Sequence, residues 1–154
     1  MSEEGLKQAC KVSERLKDIK INSIYSSDLK RAFRTAQIVA ENYNLTVQKN
    51  PDLREINFGD WEGRHYNHFK EEERDYFHKW FKEPLKYRIP GGESLPELHE
   101  RVLAFLNLVV SQENEKKEEE EIIITAHGGP IKIIIAHILN MDIKNMSRLV
   151  ISPA

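Results

Sequence analysis

Apolar residues recur along this chain with two spacings, and segments of the two kinds alternate. Segments with an apolar residue every three or four positions predict amphipathic helices. Short apolar runs bounded by polar or turn residues predict strands. The predicted helices lie at 6–19, 29–43, 95–109 and 131–139, and the predicted strands at 22–27, 45–48, 122–126 and 149–151. This alternation predicts an α/β sandwich.

The most informative stretch is 121–130. Three consecutive isoleucines are bounded by charge on one side and by Gly128-Gly129 on the other, which predicts a buried, parallel strand followed by a tight turn. Pro130 then stands where the first turn of a helix tolerates it. His127 thus lies between a strand and a helix, at the usual ligand crevice of an open α/β sheet.

The start of that helix is a candidate anion site. Backbone N–H groups at a helix start bind anions, and glycines such as Gly128 allow a close approach. His127 and Gly128 are therefore candidate phosphate-binding residues. The alternative is a buried histidine that is hydrogen-bonded at a strand end, with the two glycines serving only the turn.

The other segments give coarser predictions. The loop at 53–63 is punctuated by glycines, and the aromatic, charged segment 65–81 predicts a helical excursion. Ser94 and Glu97 have the spacing of a capping box, which predicts a helix start. Ser26, Ser27 or Asp28 is expected to cap the predicted helix at 29–43. The charge run 113–121 predicts a solvated helix end and loop.

Length and composition narrow the classes of protein. A chain of 154 residues with 40% hydrophobic and 31% charged residues predicts one globular domain spanning 1–154. The net charge of −2 argues against nucleic acid as a partner. No apolar run is long enough to cross a membrane, and a single Cys10 predicts a reducing, cytoplasmic location without disulfides. No cysteine spacing indicates a metal site.

Two arginines stand at the start of the second predicted helix. Cations at a helix N-terminus oppose the helix dipole, so Arg31 and Arg34 are placed unfavourably unless an anion fills the space beside them. Arginine binds phosphate through a bidentate fork. The alternative is a surface arginine paired with a carboxylate.

Two carboxylate positions also have a functional interpretation. Glu55 is flanked by apolar and aromatic residues, and partial burial favours the protonated carboxyl that a general acid needs; an exposed loop glutamate is the alternative. Glu93 and Ser94 follow Gly91-Gly92 and could contact a substrate, although helix capping by itself explains the serine.

Four motifs occur in a fixed order and together resemble a known family. They are Ser-Asp-Leu-x-Arg-Ala-x-x-Thr-Ala at 27–36, Leu-Arg-Glu-x-x-Phe-Gly-x-Trp-Glu-Gly at 53–63, Gly-Gly-Glu-Ser at 91–94 and His-Gly-Gly at 127–129. This combination resembles the histidine phosphatase (phosphoglycerate mutase-like) superfamily, and the 53–63 motif is similar to its α-ribazole phosphatase branch.

The resemblance implies a fold and roles for particular residues. It implies a three-layer α/β/α sandwich with a mostly parallel sheet, and hydrolysis of a small phosphorylated metabolite without metal or cofactor. Arg31 would clamp the phosphoryl group, Glu55 would donate a proton to the leaving alcohol, and His127 would bind phosphoryl oxygens. Glu93 and Ser94 would lie near the substrate. The α-ribazole branch implies cobalamin biosynthesis, and a homodimer is a further expectation.

The sequence departs from the family pattern at one decisive place. The family's Arg-His-Gly, whose histidine is the nucleophile that becomes phosphorylated, occurs nowhere in this chain. We therefore expect a domain that is truncated at both ends, by a shortened gene model or by natural loss, and that is inactive as given. The alternatives are a phosphoglycerate mutase-type phosphoryl transfer and a non-catalytic module that binds phospho-ligands.

Overall fold

Three short parallel strands form the sheet of the computed structural model, which describes residues 1–114 and 121–151. The strands are β1 (Ser23–Ser26), β2 (Val47–Lys49) and β3 (Ile122–Thr125). Their order is β2-β1-β3, so β1 is central and pairs with both neighbours. In this register Ile24 lies opposite Val47 on one side and Ile123 on the other.

The described residues form five α-helices. They are α1 (Glu3–Leu16), α2 (Lys30–Ala40), α3 (Glu71–Lys82), α4 (Leu95–Asn114) and α5 (Gly128–Ile138). Short 3₁₀ turns lie at Pro51–Leu53, Gly59–Trp61, Tyr66–His68 and Ile143–Arg148.

Alternate residues of the strands face opposite helical layers. Ile24 packs with Ala36 and Ala40 of α2 on one face of the sheet. The next residue, Tyr25, packs with Phe105 of α4 on the other face. Because side chains alternate across a strand, neighbouring residues of β1 contact helices on opposite faces of the sheet. The predicted three-layer α/β/α arrangement with a parallel sheet is confirmed.

Polar contacts hold helix α1 against α2 and against the residues that follow α2. The Ser13 hydroxyl donates to the carbonyl of Ile38 at 3.2 Å, and the Asn42 side chain donates to the Ser13 carbonyl at 2.7 Å. At its start, the Ser2 hydroxyl accepts from the Gly5 amide at 3.1 Å and so caps the helix. Helix α1 therefore lies beside the same face of the sheet as α2.

Two predictions about helix starts had different outcomes. The capping box at α4 is confirmed, because the Glu97 amide donates to Ser94 Oγ at 3.3 Å and the Ser94 amide donates to Glu97 Oε2 at 2.8 Å. A side-chain cap on α2 by residues 26–28 is wrong, since the N-cap residue is Leu29. Ser27 Oγ accepts the Leu29 amide, but it lies before the helix and also contacts His127.

The predicted last strand at 149–151 is wrong. These residues have no strand structure, and the segment before them forms a 3₁₀ turn. A strand needs a hydrogen-bonded neighbour, and within the described residues 149–151 pair with none of the three strands. Of the predicted charge-run loop, 115–120 lie outside the described residues.

The 65–81 segment forms an aromatic cover over Trp61. The Trp61 ring lies 5.2 Å from Phe77 and 5.5 Å from Trp80, both on α3, and it is 6% exposed. Aromatic pairs in this range contribute beyond their area burial. The predicted excursion is thus confirmed as a packed layer over the 53–63 loop. Among the helices of the described residues, none is long and apolar enough to cross a membrane.

Candidate active site

The candidate site lies beside β3, at the edge of the sheet. A cavity of about 700 Å³ lies along this strand, and helix α1 and Ile151 also contribute to its wall. Most of its lining is apolar, but Arg31, Glu55 and His127 all line it, and so does Gly128. The structure therefore brings four sequence-predicted residues together in one place. Arg34, Glu93 and Ser94 do not line it.

His127 is held at both ring nitrogens. Arg31 Nε donates to its Nδ1 at 3.1 Å, and its Nε2 lies 3.0 Å from Ser27 Oγ. A guanidinium can only donate, so Nδ1 must be unprotonated and the ring proton must be on Nε2, which donates to Ser27. The imidazole is therefore neutral in this arrangement, with one defined tautomer.

The environment of His127 agrees with that protonation state. The residue is 7% exposed, and burial lowers the pKa of its imidazole, because a charged ring loses its hydration there. The nearby Arg31 guanidinium lowers the pKa further, while the Glu55 carboxylate acts in the opposite direction. A bound dianion would act like the Glu55 carboxylate: it would raise the pKa of His127 and favour the protonated ring.

Arg31 is in the first turn of α2, where the sequence places it against the helix dipole. Its Nε is bound to His127, and within the described residues its two Nη groups have no hydrogen-bonding partner. The side chain thus presents positive charge at the wall of the cavity. Arginine Nη groups in this situation can bind the oxygens of a phosphate.

Glu55 occupies the start of α5. Its Oε1 accepts the Gly129 amide at 3.0 Å and the Ile56 amide at 3.0 Å. A Cβ on Gly129 would lie 2.4 Å from this oxygen, so the glycine allows the carboxylate to reach the helix. The Glu55 carboxyl group is therefore the partner of the Gly129 amide at this helix start, and binding of a phosphate by His127 and Gly128 stays a prediction.

Glu93 and Ser94 have protein partners. Both oxygens of the Glu93 carboxylate contact the Arg101 guanidinium, at 2.6 and 2.9 Å. Ser94 belongs to the capping box of α4. Substrate contact by these two residues stays a prediction.

Ser27 and Arg101 are the residues that sequence reasoning missed. Ser27 belongs to the first motif, but its spacing from His127 gives no sign of contact because 100 positions separate them.

Within the described part of the chain, no group of three or more histidine, cysteine or acidic residues could hold a metal ion.

Comparison with known proteins decides the family. The family model for the histidine phosphatase superfamily (branch 1) matches residues 1–154. The chain belongs to this superfamily.

Three relatives illustrate the range of the superfamily around this chain. Phosphoserine phosphatase 1 of Hydrogenobacter thermophilus is 33% identical over 93% of this chain and 66% of that protein. Phosphoglycerate mutase-like protein 4 of Arabidopsis thaliana is 38% identical over 86% of this chain and 57% of that protein. The α-ribazole phosphatase of Shigella flexneri has the same fold, with a TM-score of 0.84 at 24% identity over 98% of this chain and 73% of that chain.

The chain thus spans about two thirds of the length of phosphoserine phosphatase 1 and less than two thirds of the length of phosphoglycerate mutase-like protein 4. The predicted resemblance, including its similarity to α-ribazole phosphatases and phosphoglycerate mutases, is confirmed at the level of the superfamily and its fold.

Proposed function

We propose that this chain carries the phosphate-binding and proton-donating part of a phosphomonoester hydrolase that acts through a phosphohistidine. The observation that supports this most directly is the convergence of Arg31, His127 and Glu55 on one cavity, with the 3.1 Å contact between Arg31 and His127. Arg31 and His127 bind the phosphoryl oxygens, and Glu55 protonates the leaving alcohol.

The proposed reaction has two steps. A histidine nitrogen attacks phosphorus, the bond from phosphorus to the alcohol oxygen breaks, and Glu55 gives its proton to that oxygen. Water then attacks the phosphohistidine, the P–N bond breaks, and Glu55 takes a proton from the water. Each step leaves Glu55 ready for the next one.

The nucleophile in this proposal does not come from the described residues. All six histidines of the chain lie within the described ranges, and His127 alone of them lines the cavity. We propose that the nucleophile is supplied by an extended segment along β3, whose second edge is unpaired within the described residues. The apolar walls contributed by α1 and Ile151 suit such a segment.

The proposed substrate is a small phosphomonoester, with α-ribazole phosphate the first compound to test because of the 53–63 motif. Relatives named as phosphoserine phosphatase and phosphoglycerate mutase-like protein extend this class. A mutase would return the phosphoryl group to a second hydroxyl, so analysis of the product separates the two activities. We place the reaction in the cytoplasm, where the free, exposed Cys10 would stay reduced.

The lack of a second histidine at the site also favours another candidate function. A chain with Arg31 and His127 but no nucleophile could bind phospho-ligands without turnover. In that case the chain keeps phosphate affinity and never gains activity, however it is extended.

The experiment that tests the proposal compares the 154-residue chain with a version extended upstream to include an Arg-His-Gly segment. We expect the short chain to bind inorganic phosphate weakly in calorimetry and to hydrolyse p-nitrophenyl phosphate no faster than buffer, because phosphomonoester hydrolysis is extremely slow without the covalent route. The extended version should turn over.

Turnover by the short chain at the rate of the extended one would contradict the proposal, particularly if a single substitution of His65 or another distant histidine abolished it. An extended version that binds phosphate without turnover would favour the binding module.

A second test addresses Glu55 in the extended version. As a general acid, Glu55 should matter most for leaving groups that need a proton, so Glu55→Gln should lower kcat on an alkyl phosphate by roughly 10²–10⁴-fold. The loss on p-nitrophenyl phosphate, whose leaving group hardly needs a proton, should be much smaller. Equal losses on both substrates would show that Glu55 positions phosphate and does not donate protons.

A further inference from the structure

The guanidinium of Arg101, on α4, donates more hydrogen bonds than an ordinary ion pair contains. Its Nε donates to Glu93 Oε1 at 2.6 Å and its Nη2 to Glu93 Oε2 at 2.9 Å, which makes a bidentate pair. The two side chains are 21% and 15% exposed, so the pair is largely removed from solvent. A partly buried pair of this kind needs further hydrogen bonds to offset the loss of hydration.

Those further bonds go to the backbone that carries Glu55. Arg101 Nη1 donates to the carbonyls of Asp52 and Arg54, the latter at 2.9 Å, and Nη2 reaches the carbonyl of Glu55 at 3.3 Å. One guanidinium therefore holds three carbonyls within four consecutive residues.

Glu93 holds the same segment from its other end. Its Oε2 accepts the Asn57 amide at 3.2 Å, and its own amide donates to the Asn57 carbonyl at 2.9 Å. Residues 55–58 have no regular secondary structure, so their conformation depends on such outside partners. The Arg101–Glu93 pair is thus the scaffold from which the Glu55 side chain reaches α5.

We propose that Arg101, neutralised by Glu93, is the positioning residue that holds the Glu55 carboxylate on the start of α5. The inference rests on the proposed function, in which Glu55 is the proton donor. It gives Glu93 a role different from substrate contact, because both of its oxygens are used within the protein. Arg101 acts through Glu55 and does not line the cavity.

The chain offers a matched control in Arg88. Its Nη1 contacts Glu97 Oε1 at 2.6 Å near the start of the same helix, but these side chains are 59% and 45% exposed. Exposed pairs of this kind contribute little to structure. Arg88→Gln removes the same charge as Arg101→Gln without touching the backbone of 52–57.

The test follows two amides by NMR in the 154-residue chain. Gly129 and Ile56 both donate to Glu55 Oε1, and Glu55→Gln sets the reference change in their signals. In Arg101→Gln we expect both signals to shift towards that reference and both amides to exchange about 10- to 100-fold faster, as expected for loss of a hydrogen bond to a charged group. Arg88→Gln should leave both amides unchanged.

Arg101→Lys provides a second test in case Arg101→Gln does not fold. A lysine keeps the charge, but its single ammonium cannot form the fork and reach three carbonyls at once. We expect a folded protein, judged by thermal unfolding, whose Gly129 and Ile56 signals still move towards the reference. Wild-type signals in a folded Arg101→Lys or Arg101→Gln protein would overturn the inference.

Kinetics in the extended, active version separate this inference from the proposed function. If Arg101 positions the acid, Arg101→Gln should lower kcat on an alkyl phosphate far more than kcat on p-nitrophenyl phosphate, with little change in KM. A wild-type ratio of the two rates in Arg101→Gln, beside a changed ratio in Glu55→Gln, would refute the positioning role alone. An unchanged ratio in Glu55→Gln would refute the proposed function, while the amide signals would still decide whether Arg101 holds Glu55.

Discussion

At the scale of single residues, protonation in this site is decided by partners that come from distant parts of the chain. His127 is neutral because a guanidinium occupies Nδ1 and a hydroxyl lies beside Nε2. Binding of a phosphoryl dianion would then raise the affinity of the ring for a proton.

This arrangement predicts a pH dependence of stability. The unfolded chain binds a proton at His127 below about pH 6.5, whereas the folded chain, in which burial lowers the pKa, does so only at lower pH. Between about pH 6.5 and the lowered pKa of the folded chain, the unfolded state therefore holds more protons. The free energy of unfolding should fall as the pH is lowered through this range.

Urea unfolding at pH 7.5 and at pH 5.5 measures the effect. His127→Asn removes the titrating group, so the loss of stability between the two pH values should be smaller in the variant than in the wild type. The same loss in both proteins would show that His127 is not the group responsible.

At the scale of elements, the loop that carries Glu55 is packed backbone to backbone against the 90–93 turn. Gly59 has a φ of +48°, and a Cβ there would lie 2.3 Å from the Gly92 nitrogen and from the Pro90 carbonyl oxygen. Gly63, in the same loop, has a φ of +69° with nothing within 4 Å of such a Cβ. The two glycines therefore share the left-handed conformation but differ in their surroundings.

The different surroundings of Gly59 and Gly63 predict different losses of stability when each is replaced by alanine. Gly63→Ala should lower the free energy of unfolding by about 1–2 kcal/mol, the usual strain of a left-handed residue. Gly59→Ala adds a clash with backbone that cannot rotate away and should cost about 2–5 kcal/mol. Chemical unfolding of both variants checks this, and equal costs would mean that the loop moves freely away from 90–92.

At the scale of the whole molecule, the sheet is asymmetric. Strand β1 is paired on both sides, whereas β3 is paired on one side within the described residues and borders the large cavity on the other. The isoleucines of β3 are accordingly half-buried, although three consecutive isoleucines are typical of a fully covered strand. An unpaired strand edge is also a site for association with further chain.

We therefore predict unequal hydrogen exchange along the sheet. In the 154-residue chain, amides of 121–126 should exchange faster than those of 23–27, because a strand with one neighbour opens more readily than a central one. In the extended version, the difference should shrink as the added segment covers β3. Mass spectrometry of the exchanged peptides tests both statements; equal protection of the two strands in the short chain would contradict them.

The sequence by itself determined most of the local structure. Apolar spacing predicted helices α1, α2, α4 and α5 and the three strands, because the side-chain period of each element is a local property. The ordered motifs led to the family and to Arg31, Glu55 and His127, three residues that line one cavity in the structure. The predictions failed where they needed a partner elsewhere, at the cap of α2 and at the predicted strand 149–151.

The tertiary structure alone decided which groups meet. Ser27 and His127 are 100 positions apart and Arg101 is 46 positions from Glu55, so no spacing in the sequence indicates either contact. Their meeting depends on how the sheet brings the ends of β1 and β3 together and how α4 packs beside the 53–63 loop. A buried donor or acceptor takes whichever partner that packing supplies, and this is a property of the assembled layers and not of any local pattern.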